Sequence, residues 1–307
     1  MSLSIEETIA NLSNIDKPLR NSRLADLSGL NSEELEFFEQ AWPKIELKRR
    51  RQIISRLVEL GENNFELDFD SIFKGCLKDQ DAEVRSTAIE GLWESEDASL
   101  INPLVKLLEQ DSSETVQLAA AMALGKFALL AELKKLRPRH ISRVKQALLG
   151  VIRSKGRPIE VRRRALEAVA PLSLLQVNKA IMEAYQSHNP SLKISAIYAM
   201  GRNCHRSWLP ILINELGSAD AEMRYEAVGA CGELGEKEAV PHLIGLINDQ
   251  DTEVHLAAIQ ALGKIGGDEA KECLAECLNN PNEAICRIAE QALHELEVNE
   301  DPLSFRD

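Results

Sequence analysis

Asp251-Thr252-Glu253-Val254-His255-Leu256-Ala257-Ala258-Ile259-Gln260-Ala261-Leu262-Gly263 is the stretch that decides the fold of this chain of 307 residues. Val254, Ala258, Ala261 and Leu262 follow one another at spacings of four, three and one, so they lie on one side of a helix and form a stripe that must be buried. Asp251 stands where a side-chain oxygen can accept from the first free N–H groups of that helix. The same frame recurs along the chain. Its alanine is Ala88, Ala120, Ala165, Ala196, Ala227, Ala258 and Ala289, with Gly91, Ala123, Ala168, Ala199, Ala230, Ala261 and Ala292 three places on. An apolar anchor lies four places before each: Val84, Val116, Val161, Leu192, Met223, Val254 and Ile285. From Val161 to Ile285 the anchors keep one constant spacing, and Val84 to Val116 is one place longer. Only the step from Val116 to Val161 is much longer. A fixed period of this size marks a stacked repeat array.

The residues ahead of the anchor complete the unit. Val240-Pro241 opens a first helix, where the missing proline N–H is harmless, and Pro103 and Pro210 hold the matching places. Leu243, Ile244, Leu246 and Ile247 give that helix its stripe, and 248–251 is a polar turn. Asp81, Asn189, Asp220 and Asn282 are the caps equivalent to Asp251. Gly201, Gly232, Gly235, Gly263 and Gly266 read as helix stops. Each unit is therefore helix, turn, helix, with faces that only a neighbouring unit can cover. Small residues at two places on the second helix let axes approach at the short end of the usual range of about 8–10 Å.

Units carrying Asp81-Ala82-Glu83-Val84-Arg85-Ser86-Thr87-Ala88 and the 251–263 stretch resemble HEAT repeats, most closely the short subtype named after phycobilisome lyases. The resemblance implies an all-α fold: an α-solenoid of about seven stacked helix pairs, right-handed, with second helices lining a concave face that holds another macromolecule. It also implies that the basic residue after the anchor (Arg85, Arg162, Lys193, Arg224) pairs with a turn aspartate of a neighbouring unit. Residues 71–298 form the array in this reading. Residues 1–70, where the period fades, form a helical cap with starts at Ser4 and Asn31 and a core from Leu35, Phe37, Phe38, Trp42, Ile53, Leu57 and Leu60. Residues 299–307 read as a disordered tail.

Net charge is −13, but 126–164 holds 13 Lys and Arg against Glu132 and Glu160, leaving the remainder at −24. This basic island coincides with the overlong step from Val116 to Val161, an expansion of the repeat. The spacing predicts that the preceding helix runs on through Leu129, Leu130 and Leu133 to Leu136, with the next helix over 141–152. Arg139, Arg143 and Arg153 share one face of it, flanked by Lys134, Lys135 and Arg137. These six are expected to dock an anionic partner or nucleic acid. With Phe127 the sole aromatic there, nucleic acid would be held through phosphates rather than stacked bases. The run Lys48-Arg49-Arg50-Arg51 either extends the patch or is the solvated side of a helix.

Positions two and six after the anchor point away from the buried stripe. Leu118, Met122, Ile194, Tyr198, Tyr225 and Leu256 occupy them, where a solvated helix would carry charge, and are the expected apolar contacts for a protein partner. Enzymatic chemistry finds little support. Deoxyhypusine hydroxylase, a di-iron HEAT-type enzyme, uses several His-Glu pairs, and this chain has only His294-Glu295. Cys273, Cys277, Cys286 and His294 could be drawn as a zinc set, but Cys277 and Cys231 fall in register with the core residues Leu246 and Leu262. No phosphate-binding loop, nucleophile elbow or zinc-protease motif occurs. The expected function is a non-enzymatic scaffold or regulatory adaptor without metal, cofactor or membrane contact. The alternatives are a nucleic-acid-associated solenoid and, behind it, a bilin-lyase-like or hydroxylase-like enzyme. Six scattered cysteines, no apolar run long enough for a membrane span and no leader pattern at the N-terminus lead to an expected cytoplasmic location.

Overall fold

The computed structural model describes residues 4–300, with side chains through 298. Among the described residues there are eighteen α-helices and no strand. The chain divides into two compact units, Met1–Ala168 and Val169–Asp307. The first contains α1 (Ile5–Ser13), α2 (Asn21–Ala25), α3 (Ser32–Ala41), α4 (Leu47–Asn63), α5 (Asp70–Cys76), α6 (Ala82–Gly91), α7 (Ile101–Gln110), α8 (Glu114–Glu132), α9 (Pro138–Arg153) and nearly all of α10 (Ile159–Val169). The second contains α11 (Leu175–Tyr185), α12 (Pro190–Asn203), α13 (Leu209–Glu215), α14 (Ala221–Leu234), α15 (Val240–Ile244), α16 (Thr252–Ile265), α17 (Asp268–Cys277) and α18 (Glu283–Glu300). Of the segment expected as a tail, residues 299 and 300 continue α18, and the rest lie outside the described residues.

The alanine frame does what its spacing predicts. All seven alanines are wholly buried, and every anchor is buried except Met223, which is half-buried. In the second unit α12 packs on α14, α14 on α16 and α16 on α18, while α11, α13, α15 and α17 lie against their own second helices. The caps form as well. Asp251 accepts from the N–H groups of Glu253 and Val254 at 3.0 and 3.2 Å, Asn189 from Leu192 at 3.0 Å, and Asp81 from Val84 at 3.2 Å. At the N-terminal end Asn31 and Glu34 make a reciprocal capping box.

Gly235 and Gly266 stop their helices as read, but the other three glycines do not. Gly201, Gly232 and Gly263 lie inside α12, α14 and α16, each of which runs on beyond its glycine. They are points of close approach. A Cβ on Gly201 would stand 2.6 Å from the Ala230 Cα, and one on Gly263 2.7 Å from the Ala292 Cβ. Gly232 faces Ala261 and, in the first unit, Gly125 faces Ala168 in the same way. The true stops are Cys204, Gly235 and Gly266, each with positive φ (50, 69 and 70°) and each at the same place in its repeat. Cys204 therefore holds a left-handed conformation that suits glycine.

The expansion also departs from its expected bounds. α8 ends at Glu132, not Leu136, because Lys134 turns left-handed (φ 59°) and the Lys135 N–H bonds the Leu130 carbonyl at 2.9 Å. α9 then starts at Pro138, whose ring suits the first turn. Although no run of consecutive apolar residues is long enough for a span, α8 is by length and overall composition apolar enough to cross a membrane. Here it packs on α6, α7 and α9, with half of its apolar stretch buried, as a core helix does.

Candidate functional site

The basic residues after the anchors join consecutive repeats. Arg85 grips Asp111 through two bonds of 2.8 Å, and Arg224 grips Asp249 through bonds of 2.9 and 2.8 Å. The same guanidiniums donate to turn carbonyls of their own repeat, Asp79 and Gln80 for Arg85, Ser218 and Ala219 for Arg224. Lys193 reaches Glu215 at 3.0 Å, lies over the Tyr185 ring at 5.0 Å, and shares Glu215 with the Tyr185 hydroxyl. Arg224 holds the Asp249 carboxyl below its ordinary range, chiefly through this hydrogen bond. Arg162 departs from the pattern and donates to the Ile152 carbonyl at 3.0 Å.

The 48–51 run proves to be neither a patch nor a solvated face. Arg49 is buried and donates to the carbonyls of Leu12, Asn14 and Lys17 at 2.6, 2.9 and 2.7 Å, closing off the end of α1. Arg50 is buried and paired with Asp79 at 3.4 Å; Arg51 bonds Asp81 at 2.9 and 2.6 Å and pairs with Glu83 at 2.6 Å. Only Lys48 is exposed.

Within the island several cations are likewise engaged. Arg157 donates to the Leu108 and Glu109 carbonyls and to Gln117, and Arg143 pairs with Glu109 at 3.3 Å. Arg139 donates to the ring of His140. By contrast, Lys134, Lys135, Arg137 and Arg153 are exposed and have no acidic partner among the described residues.

The expected apolar contacts separate. Ile194 is buried and cannot meet a partner: its position turns into the packing around α12, so it leaves the set. Leu118 and Leu256 are half-buried, and Met122 is well exposed. Tyr198 and Tyr225 are 40% and 42% exposed and border one hollow of about 410 Å³ across α12, α14 and α16. Its small-residue lining includes Gly201, Gly229, Ala230 and Ala261; Leu256 lies outside it. Three charged residues on its rim escape the sequence reading. Arg202, Glu233 and Lys264 all stand ten places after their anchors, and Glu233 joins the two cations at 3.5 and 2.7 Å. Their recurrence at the repeat period is the signal that could have found them. Gly229 is also informative. It lies in mid-helix, exposed, and an added Cβ would meet nothing within 4 Å. Folding does not require a glycine there, although it costs about 1 kcal/mol relative to alanine.

Four of the six cysteines, Cys76, Cys231, Cys273 and Cys277, are core residues, whereas Cys204 is exposed and Cys286 half-buried. Cys231 is fully buried, and burial pushes its thiol up to about 12; burial likewise pushes Cys273 up to about 11. Cys277 is buried and its thiol raised, while the Cys286 thiol donates to the Asn280 carbonyl at 3.0 Å. Among the described residues no group of three or more His, Cys, Asp or Glu side chains gathers as a metal site would need.

Paired helices with nested second helices and an Arg–Asp ladder define an α-solenoid built of repeats. The HEAT repeats family matches residues 69–152 and 209–294, more than half of the chain. The protein belongs to the HEAT-repeat family. No curated protein matches it in sequence. Among solved structures, Kap95p bound to RanGDP is similar in fold, with 14% identity, a TM-score of 0.52, and coverage of 96% of this chain and 45% of that one. YibA of E. coli (16% identity, TM-score 0.48, coverage 78% and 96%) and human deoxyhypusine hydroxylase (18%, 0.35, 95% and 96%) also align.

Proposed function

We propose that the protein is a non-enzymatic scaffold or regulatory adaptor that holds another protein against its second-helix faces, with the hollow beside Tyr198 and Tyr225 as the principal contact. The observation that carries this reading is the pair of half-exposed tyrosines around a floor of small residues that includes Gly229, a glycine with no internal packing reason. Tyrosine supplies large contact area with few torsions to fix, and a preformed surface lowers the ordering cost of binding. Met122, Leu118 and Leu256 would add contacts elsewhere on second helices. Lys134, Lys135, Arg137, Arg139, Arg143 and Arg153 would steer an anionic partner. The short repeat period supports the phycobilisome-lyase-like subtype.

Affinity capture from the native cell, followed by kinetics with the captured protein, tests the reading. Tyr198→Ala/Tyr225→Ala should speed dissociation about tenfold or more, as loss of an interface hot spot does. Unchanged dissociation in a variant that melts like the parent would discard it. The exposed, unpaired island cations favour one second reading, phosphate binding to nucleic acid. That reading requires affinity for duplex DNA or RNA to fall steeply with salt and to disappear in Lys134→Glu/Arg137→Glu/Arg153→Glu.

A further inference from the structure

A second hollow, of about 340 Å³, opens in the first unit over the end of α4, the 64–69 connection, α5 and the 92–95 turn. Its floor is aromatic. Phe69 and Phe73 are buried there edge to face, with ring centroids 6.3 Å apart. Gly91 lets Phe73 seat, since a Cβ on it would stand 2.6 Å from the ring. The rim is aromatic too, but open to water. Phe65 is 83% exposed and Trp93 59%, whereas the other two tryptophans, Trp42 and Trp208, are buried.

The walls carry charge of one sign. Glu62, Asp68, Asp70 and Glu94 line the hollow and no cation does. Asp70 accepts from the Ser95 hydroxyl at 2.7 Å and Asp68 from the Asp70 N–H at 2.9 Å. Glu62 and Glu94 are exposed and have no side-chain partner among the described residues. Lys126 braces the turn from outside the lining by donating to the Trp93 carbonyl at 3.0 Å. Beside the wall, burial and the nearby Glu62 hold the Glu90 carboxyl above its ordinary range. This is a place where an added positive charge relieves repulsion.

Aromatic faces and uncompensated carboxylates around one hollow select the occupant. An anion would be repelled, and an apolar side chain would strip water from carboxylates without replacing it. A cation gains from both the ring faces and the carboxylates. We infer that this hollow receives an arginine or lysine side chain from an exposed basic segment of a partner protein. The inference is independent of the hollow at Tyr198 and Tyr225, where Glu233 pairs with both Arg202 and Lys264.

The test uses the full chain and a fluorescent hexa-arginine peptide blocked at both ends, read by anisotropy, with hexa-glutamate as the opposite-charge probe. Hexa-arginine should bind and hexa-glutamate should not. Glu62→Gln/Glu94→Gln should weaken binding about fivefold or more, and Trp93→Ala about two- to fivefold. A variant losing two exposed charges elsewhere, Glu290→Gln/Glu297→Gln, should bind like the parent. Because Trp93 is the exposed tryptophan, unlabelled peptide should also change the indole emission of the parent and not that of Trp93→Phe. Equal weakening by both glutamine pairs would reduce the effect to attraction by the acidic surface and overturn the inference, as would undetectable binding. Concentration-dependent self-association lost in Glu62→Gln/Glu94→Gln would overturn it in favour of a second copy of the chain. All these substitutions fall on exposed side chains, so melting temperatures should match the parent.

Discussion

The regular repeats of α12 to α18 and the expanded stretch from α8 to α9 use the same residue types to opposite ends. In the regular stack, Lys193 and Arg224, directly after their anchors, turn inward to an acid of the next repeat. In the expansion, added residues bring cations without added acids, and Lys134, Lys135, Arg137 and Arg153 are left unpaired in water. A strict period gives a polar side chain at a repeated position, as at Lys193 and Arg224, a reserved partner one unit away. Breaking the period removes that partner and leaves charge available to something outside the chain. Helix ends do not separate the two regions: Gly235 and Gly266 stop α14 and α16 with positive φ at no steric cost, but Lys134 after α8 and Cys204 after α12 take positive φ without being glycine.

Four substitutions would break or sharpen this contrast. Arg224→Ala, which strands the nearly buried Asp249, should cost about 3 kcal/mol in chemical denaturation, in line with orphaned buried charges. Acid should act through the same pair. Because the folded-state pKa of Asp249 is depressed, its contribution is complete above the ordinary carboxylate range and is lost as pH falls through and below it. Asp249→Asn should therefore be less stable than the parent near neutrality, and the gap should narrow in acid; a gap that is constant with pH would show that the ladder is not electrostatic. Cys204→Gly should raise stability by about 1 kcal/mol by relieving the left-handed strain that Gly235 and Gly266 avoid. Arg153→Ala, in the expansion, should shift stability by less than about 0.5 kcal/mol, as exposed unpaired positions do. Comparable losses for Arg153→Ala and Arg224→Ala would erase the distinction.

What can be read from the sequence follows the period closely. The alanine frame, the caps at Asp81, Asn189 and Asp251, and the inward ladder all repeat at one spacing, so each repeat checks the others. Gly201, Gly232 and Gly263 repeat just as faithfully yet mislead, because a glycine near a helix end serves equally as a stop or as a contact. Cys204, standing where the next repeats have glycine, conceals which set of positions terminates the helix. Arg49 is opaque for another reason. Its carbonyl partners lie 32 to 37 residues away, outside any repeat, and a run of four cations has the composition of a solvated face. Phe65 and Trp93 escape notice because the period fades where they meet. Ile194 misleads because position two after the anchor is open on α14 and closed on α12, a difference of neighbours and not of spacing.

The central claim is that glycines inside the second helices of the second unit divide into those that set helix-to-helix distance and those kept bare for an outside contact. Gly201 and Gly229, on adjacent helices α12 and α14, separate the two most directly. Equilibrium denaturation of the single alanine variants should show Gly201→Ala destabilised by about 2 kcal/mol, through collision with the Ala230 backbone, and Gly229→Ala stabilised by about 0.5–1 kcal/mol, through helix propensity alone. Stabilisation of both variants, or destabilisation of both, would contradict the account.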